Sequence, residues 1–183
     1  MATSKRDAGL YSSLRQTPAS TLRDQMNWYN GYSPTERNRK LRASYKVYPN
    51  RTHPYYHGPR QLCGDPGCPV EPHSEDYSEP YQWENPAEYA VCQTCHRRLH
   101  NRFKAPHAWT AYKMHLRRGG YGSDQRTEAI ARELSKLAKA LEAGKPFPLS
   151  PLSREKVLTG REWWELLSVD PQTLTDPGAR PRP

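Results

Sequence analysis

Four cysteines in two close pairs constrain the fold of this 183-residue chain more than any other feature. Cys63 and Cys68 are separated by four residues, Cys92 and Cys95 by two, and twenty-three residues lie between the pairs. Such spacings bring thiolates together, and four thiolates in a tetrahedral array suit Zn(II). The pattern predicts a structural zinc held by all four cysteines. An iron–sulfur cluster and four buried thiols are the alternatives.

The composition favours a small folded centre that depends on such an ion. Hydrophobic residues make up 34% of the chain, below the roughly 45–50% of typical globular domains, a figure that also counts Gly. There are 18 prolines but only two phenylalanines. A bound metal supplies stability that a thin core cannot. We therefore expect a metal-stabilised centre between poorly ordered ends.

The net charge of +9 is unevenly distributed along the sequence. Residues 61–88 carry seven acids and no Lys or Arg, whereas residues 89–123 carry seven Lys or Arg and no acid. Residues 1–60 are also basic, with eleven Lys or Arg against three acids. Two basic blocks around an acidic loop favour nucleic acid as a partner, although general solubility charge gives the same pattern.

The sequence contains no membrane or export signal that we recognise. No stretch is apolar and long enough to span a membrane, and the first residues, MATSKRDAGLYSSLRQ, lack the apolar centre of a signal peptide. We therefore expect a cytoplasmic protein without membrane association. In a reducing compartment, paired cysteines indicate metal binding rather than disulfides.

Capping signals and periodicity predict helices on both sides of the cysteines. Ser33, Pro34 and Glu36 form the capping-box start of a basic helix that Pro49 ends. Its outward face would carry five basic side chains: Arg37, Arg39, Lys40, Arg42 and Lys46. A second helix, HAWTAYKMHLRR, follows the last cysteine and is closed by two glycines.

A third helix gives the strongest periodic signal. Asp124 would cap it, and apolar residues recur at spacings of three and four: Ile130, Leu134, Leu137 and Leu141. A further helix would begin at a capping box of Thr159 and Glu162 and carry Trp163 and Trp164, packed on the domain or on a partner. These elements divide the chain into a flexible basic arm (1–32), a zinc-binding domain with basic helices (33–122), a helical extension (123–170) and a disordered tail (171–183).

Histidines accompany the cysteines in a distinctive order. His73 lies in the acidic loop. His96 and His100 are four residues apart, so on a helix they share one face and can bind a second ion or a phosphate together. A single histidine is more often structural than catalytic. Together the residues read Cys pair, His, Cys pair, His, His.

Two stretches carry a resemblance to a known family. LCGDPGCPVEPHSEDYSEPYQW and AVCQTCHRRLH resemble the zinc-knuckle branch of the HNH (ββα-metal) endonucleases. The likeness is greatest to small phage-type members, whose loop reads His-His, an acid, Asp-Tyr-Ser, one more residue and Pro. The resemblance covers residues 33–104. It implies an α+β fold: a small zinc-stabilised ββα-metal, treble-clef-like core with flanking helices and disordered ends. It also implies that a phage or mobile element encodes the protein.

The resemblance also implies a catalytic centre. A divalent ion, Mg(II) or Mn(II), would lie between the hairpin and the helix, with His73, His96 and His100 as ligands. The second histidine of the family's loop is its general base, which activates water for attack on a phosphodiester. A hairpin asparagine normally orients that base, and Asn85 lies nearby.

The chain departs from the family at the base. Ser74 stands where the second histidine should be, and a serine cannot accept a proton near neutral pH without a base of its own. Shifting the register by one residue makes His73 the catalytic base but leaves Pro72, which cannot bind a metal, in a ligand position. Glu71 or Asp76 would then have to replace the lost ligand.

Three functions follow from these patterns. The first is a divalent-metal-dependent endonuclease that cuts or nicks double-stranded DNA. The second is a non-catalytic, zinc-stabilised nucleic-acid-binding module; in one variant of it, His73, His96 or His100 binds zinc and the histidines are structural. Phosphates would then be bound by basic residues near Trp109, Tyr112 and Tyr121: Arg97, Arg98, Arg102, Lys104, Lys113, Arg117 and Arg118. The third is an adaptor that docks a protein partner through the C-terminal helices, residues 124–143 and 159–168.

Overall fold

The computed structural model describes residues 28–57, 60–84, 87–152, 154 and 162–169. Three predictions lie outside these residues: the disordered tail, the helix start at Thr159 and the placement of Asn85. Of the predicted arm, only residues 28–32 are described. They form a tight turn in which Tyr29 and Tyr32 pair through their backbones, and both side chains are buried.

The first helix, α1 (Pro34–Val47), begins as predicted. The Ser33 hydroxyl accepts from the Glu36 amide at 3.2 Å, and the Glu36 carboxylate accepts from the Ser33 amide at 2.8 Å. This capping box satisfies two N–H groups that have no partner inside the helix. The prediction that Lys40 points outward is wrong. Lys40 is 3% exposed. Its ammonium donates to the Asp76 carbonyl at 3.0 Å and lies over the Tyr77 and Trp83 rings.

Two strands follow, joined by a long loop. β1 (Val70–Ser74) pairs antiparallel with β2 (Glu88–Cys92), in a register that sets His73 opposite Tyr89. The helix α2 (Gln93–Asn101) begins directly at the end of β2. A hairpin followed at once by a helix is the expected ββα arrangement, and together with the flanking helices it confirms the α+β class.

Two further helices, α3 (Pro106–Arg117) and α4 (Glu128–Glu142), pack against each other. Two leucines of the predicted stripe are buried, Leu134 and Leu137. The prediction that Asp124 caps α4 is wrong. Asp124 lies in a separate 3-10 helix, Gly122–Arg126, where its carboxylate accepts from the Tyr121 amide at 2.7 Å.

The C-terminal residues 162–169 pack onto the rest of the molecule. A short 3-10 helix, Trp163–Glu165, replaces the longer helix predicted there. Trp164 is fully buried, and the Trp163 ring stacks on the Tyr89 ring with 3.6 Å between centroids. Both tryptophans therefore pack on the domain.

The core is formed by β2, α2, α3 and this C-terminal segment around the cysteines. Besides the cysteines, its buried members are Leu62, Tyr89, Val91, Leu99, Trp109, Tyr112, Leu116 and Trp164. In the part of the chain that the structure describes, no helix has the length and hydropathy needed to cross a membrane.

Candidate metal centre

Three cysteines meet at the junction of β2 and α2. Their sulfur atoms all lie within 4.8 Å of one another, and the three residues are Cys63, Cys92 and Cys95. The Cys92 Sγ is 3.6 Å from that of Cys63 and 3.2 Å from that of Cys95, whereas sulfurs in a tetrahedral zinc site are about 3.8 Å apart. All three are buried free thiols. The group could bind a metal such as zinc.

Local structure explains why these thiols converge. Cys92 ends β2 and is also the N-cap of α2, where its Sγ accepts from the Cys95 amide at 3.4 Å. A residue at the third position of a helix faces its cap, so the two thiols lie on one side. Cys63 lies in a turn that is fixed to β2, because the Gln61 amide donates to the Ala90 carbonyl at 2.7 Å.

The fourth predicted ligand is outside this group. The Cys68 thiol donates to the Asp65 carboxylate at 3.0 Å. Asp65 also accepts from the Ser123 hydroxyl and from its amide, the latter at 3.3 Å. The structure therefore brings together three of the four predicted cysteines. Cys68 would have to turn away from Asp65 to complete a four-thiolate site.

Two residues that sequence reasoning missed enclose the thiols. The Tyr112 hydroxyl lies 3.0 Å from the Cys95 sulfur. A Cβ added to Gly122 would lie 2.5 Å from the Cys92 sulfur, so only glycine fits there. Shared hydrogen bonds with Cys92 and Cys95 lower the pKa of Cys63 to about 3, and the thiolate is the form that binds metal.

Three histidines form a second cluster, between β1 and α2. One ring nitrogen from each lies within 4.8 Å of the others: His73, His96 and His100. His96 and His100 share one face of α2, with 2.8 Å between their Nε2 atoms. His73 reaches them from β1, with 5.1 Å between its ring centroid and that of His96. The three histidines that the sequence analysis singled out therefore lie close together in the structure.

Carboxylates lie behind two of the imidazoles. Glu75 is 2.7 Å from Nε2 of His73, and Glu71 is 2.6 Å from Nδ1 of His96. Histidines that bind metals usually donate their other ring N–H to a carboxylate, which orients the ring. Glu71 is placed to support a histidine rather than to replace a ligand. Asp76, the other suggested replacement, accepts from the Ser78 amide at 2.8 Å.

His73 has one ring nitrogen left for an ion. Its Nε2 contacts Glu75 and, at 3.2 Å, the Tyr29 hydroxyl, whereas its buried Nδ1 has no hydrogen-bond partner among the described residues. A buried polar atom without a partner costs free energy, and a cation at this nitrogen would remove that cost. Burial lowers the pKa of His73 to about 4, which keeps the imidazole in the neutral form that binds metal. These residues fit a divalent ion.

Arg102, predicted to contact phosphate, is 1% exposed. Its guanidinium donates to both oxygens of Glu75, at 2.8 and 3.2 Å, and to the Ser168 carbonyl at 2.9 Å. Burial alone would raise the pKa of Glu75, but the His73 hydrogen bond and the Arg102 charge overcome it and lower that pKa to about 2. Arg102 therefore holds the carboxylate that orients His73, and it is not at the surface.

The other predicted phosphate contacts differ in their surroundings. Arg97 and Lys104 are exposed. The remaining four are engaged within the molecule: Arg98 with Gln125, Lys113 and Arg117 with Glu165, and Arg118 with Glu133. Of the aromatic residues expected beside them, Trp109 and Tyr112 are in the core. Tyr121 lies beneath the Arg154 guanidinium.

Ser74, at the position of the family's base, acts as a hydrogen-bond donor. Its hydroxyl donates to the Glu88 carboxylate at 3.1 Å, and the second oxygen of Glu88 is 2.6 Å from Nε2 of His53. All three side chains are buried. No sequence pattern marks His53 or Glu88, because their meeting with Ser74 depends on the strand register.

A cleft of about 280 Å³ opens beside the histidine cluster. It is lined by one face of α1, by residues of both strands and the loop between them, and by two of the cluster's own members, His96 and His100. The histidine site is therefore reached through a shaped recess rather than from a flat surface.

Comparisons of this chain with family models, with curated proteins and with solved structures each found no match. The inference of function therefore rests on the chain's own residues. These form a β-hairpin followed by a helix, with a buried group of three cysteines and a cluster of three histidines. Such a combination is consistent with a metal-binding ββα motif.

Proposed function

We propose that the protein is a divalent-metal-dependent endonuclease that acts on DNA, built on a zinc-stabilised ββα scaffold. The observation that carries the proposal is the convergence of His73, His96 and His100 between β1 and α2. The resemblance of the surrounding sequence to HNH endonucleases supports it, as do the basic residues at the surface near α2, Arg97 and Lys104.

Each side chain of the cluster has a distinct part in this proposal. His73, His96 and His100 would hold the ion, while Glu75 and Glu71 keep two of the imidazoles oriented. When bound, such an ion stabilises negative charge on a phosphate and on the leaving oxygen. Three imidazoles suit Zn(II) or Ni(II) better than the Mg(II) or Mn(II) that the resemblance implies.

The proposed enzyme differs from the family in how water loses its proton. Ser74 donates to Glu88, and His73 serves as a ligand, so no imidazole of the loop is left to act as the base. A positioned general base typically contributes about 10²–10⁴-fold to a rate. We therefore expect cleavage to be slow.

Plasmid nicking by the purified, zinc-loaded protein tests the proposal. We expect slow nicking with added Ni(II) or Zn(II), less with Mn(II) or Mg(II) and none when only the structural zinc is present, and we expect His100→Ala to abolish it. His107→Ala is the matched control, because His107 is exposed on α3, outside the cluster. Full nicking by a correctly folded His100→Ala protein would overturn the proposal.

A non-catalytic nucleic-acid-binding module is the second candidate, and the hydrogen bond from Ser74 to Glu88 favours it. In that case no ion produces nicking, and the histidines hold a structural zinc or a phosphate. Binding would depend on phosphate contacts by exposed side chains such as Arg97 and Lys104, so affinity should fall steeply with salt. A gel shift that does not change with salt would contradict this candidate.

A further inference from the structure

We infer that the cleft beside the histidine cluster receives one unpaired nucleotide of a DNA strand, with its base among aromatic side chains and its phosphate toward His96 and His100. The inference rests on the proposed function and deepens it, since it names the form of nucleic acid that reaches the site. Four observations carry it: the size of the cleft, its aromatic lining, its cations and its continuity with the histidines.

The cleft has room for one base and not for a duplex. Its volume of about 280 Å³ lies close to the lower end, roughly 300 Å³, of pockets that accept small organic ligands. A duplex keeps its bases paired and stacked, so only a base that has left the stack can enter a pocket of this kind. The size of the cleft therefore excludes a duplex and admits a single base.

Aromatic side chains from several elements line the space. They are Tyr45, Tyr48, Tyr56, Tyr77 and Trp83. Tyr45 is 57% exposed, and Leu41, one turn earlier on α1, is 48% exposed and also lines the cleft. Every base has a face that stacks on an aromatic ring whatever its sequence. A half-open aromatic lining therefore suits a base better than it suits a strongly hydrated ligand.

Cations line the same cleft. Lys40 is buried, and its ammonium carries three N–H donors. Among the described residues that ammonium has one hydrogen-bond acceptor, the Asp76 carbonyl. It also lies 5.8 Å from the centroid of the Tyr77 ring and 5.4 Å from that of Trp83, which leaves Tyr45, Tyr48 and Tyr56 as the rings for a base. A buried charged group is stable only when its donors are used, and the oxygens of a base or a phosphate can accept from it. Arg37, one turn earlier on α1, adds a second positive charge to the lining.

The cleft and the histidine cluster are continuous. His96 and His100 belong to both, so a nucleotide in the cleft lies next to two of the three histidines. Glu88 is the single carboxylate of the lining in the described part of the chain. It is already hydrogen-bonded to His53 and Ser74, which limits its repulsion of a phosphate.

Binding of fluorescent oligonucleotides by the full, zinc-loaded chain tests the inference, with no divalent ion added so that no strand is cut. The probes are a single strand, the same strand in a perfect duplex, and that duplex with one bulged base. We expect the single strand and the bulged duplex to bind more tightly than the perfect duplex. A 2-aminopurine at the bulge should lose fluorescence as it stacks in the cleft.

Substitution of Tyr45 separates stacking from phosphate binding. Tyr45→Ala should weaken single-strand binding about tenfold and leave binding of the perfect duplex unchanged, whereas Tyr45→Phe should retain the original affinity. Val47→Ala is the matched control, because Val47 is 52% exposed on the same helix but does not line the cleft.

The outcomes distinguish this inference from the proposed function. Equal affinity for single strand and perfect duplex, or unchanged single-strand binding by Tyr45→Ala, overturns the inference. Plasmid nicking that still requires His100 would then leave the proposed function intact. Failure to bind any of the three probes, together with failure to nick, overturns both.

Discussion

At the scale of single residues, the histidine cluster is held in place by contacts behind its rings. Glu75 and Glu71 contact the far nitrogens of His73 and His96, and Arg102 binds both oxygens of Glu75. The rings are therefore oriented before any ion arrives, and little side-chain freedom remains to be lost on binding. The four cysteines differ in their contacts. Three form a group, and the fourth, Cys68, donates to Asp65.

The cysteines should accordingly differ in how they hold zinc. Cys95→Ser removes a sulfur from the group of three, and we expect it to abolish stoichiometric zinc and cooperative unfolding, because a structural zinc contributes about 10 kcal/mol or more to folding. Cys68→Ser should keep the fold and lose zinc faster to a chelator. Metal analysis by atomic spectroscopy and thermal unfolding measure both effects.

Each cysteine variant also has a contradicting result. Wild-type zinc content and stability in Cys95→Ser would show that the group of three holds no zinc. Loss of the fold in Cys68→Ser, equal to that in Cys95→Ser, would show that Cys68 leaves Asp65 and binds the ion as strongly as the other three.

Residue positions could be predicted where spacing along one element determines geometry. His96 and His100 are four apart on a helix, so their convergence follows from the helix period. Glu75 and Tyr112 could not be found in this way. Their roles come from contacts with His73 across a bend and with Cys95 from a different helix, and no local pattern encodes such contacts.

At the scale of elements, a helix start was predictable where a single capping signal precedes it. Ser33 and Glu36 have no competitor, and α1 begins there. Before α4, Asp124 and Thr127 are both residues that favour a cap. The Asp124 carboxylate is taken by the Tyr121 amide and by Arg154, so α4 begins only after Thr127. Tertiary contacts decided between two local signals of similar strength.

The attachment of α4 should depend on pH through Glu133. This carboxylate accepts from Arg118, the C-cap residue of α3, at 2.5 Å and from the Ser150 amide at 2.7 Å. Burial would raise the pKa of Glu133, but these hydrogen bonds outweigh it and lower that pKa to about 2. The unfolded pKa is higher, so the stabilisation is complete above about pH 4.5 and is lost as the pH falls toward 2.

Urea unfolding of Glu133→Gln against pH measures this contribution. Near pH 7 we expect the variant to be less stable by about 1–2 kcal/mol, after allowance for solvent screening. The difference should shrink as the pH falls below about 4.5, at pH values where zinc stays bound. Glu128→Gln is the control, because its pair with Arg132 is solvent-exposed and such pairs are worth about 0–1 kcal/mol. A difference that is constant across pH would contradict the assignment.

At the scale of the whole molecule, segments that are far apart in sequence share one core. The Trp163 indole donates to the Gln61 carbonyl at 3.0 Å, and Arg102 donates to Ser168. Basic residues of the acid-free stretch 89–123 find acids outside it, as Arg118 does with Glu133. Charge counted along the sequence therefore overstates the free positive surface. Docking of a protein partner on the C-terminal helices stays a prediction.

Trp164 should stabilise the whole fold although it is distant in sequence from the cysteines. It is fully buried among residues of the core, and removing a buried tryptophan side chain costs about 3–5 kcal/mol. Trp164→Ala should lose that much stability in urea unfolding. Leu166→Ala, at a residue that is 85% exposed, should change it by less than about 0.5 kcal/mol. Equal effects of the two substitutions would show that the C-terminal segment does not belong to the core.

The helix α2 carries residues of both clusters, so we expect the two clusters to take up metal in a fixed order. It has nine residues, whereas isolated helices shorter than about 12–15 residues are marginal in water. Its first turn is anchored by the thiols of Cys92 and Cys95, and His96 comes next along the chain. Zinc would therefore have to be loaded first, and only then would the histidines come into register for a second ion. Under zinc shortage the histidine cluster would then not form its metal site, even with no inhibitor bound to it.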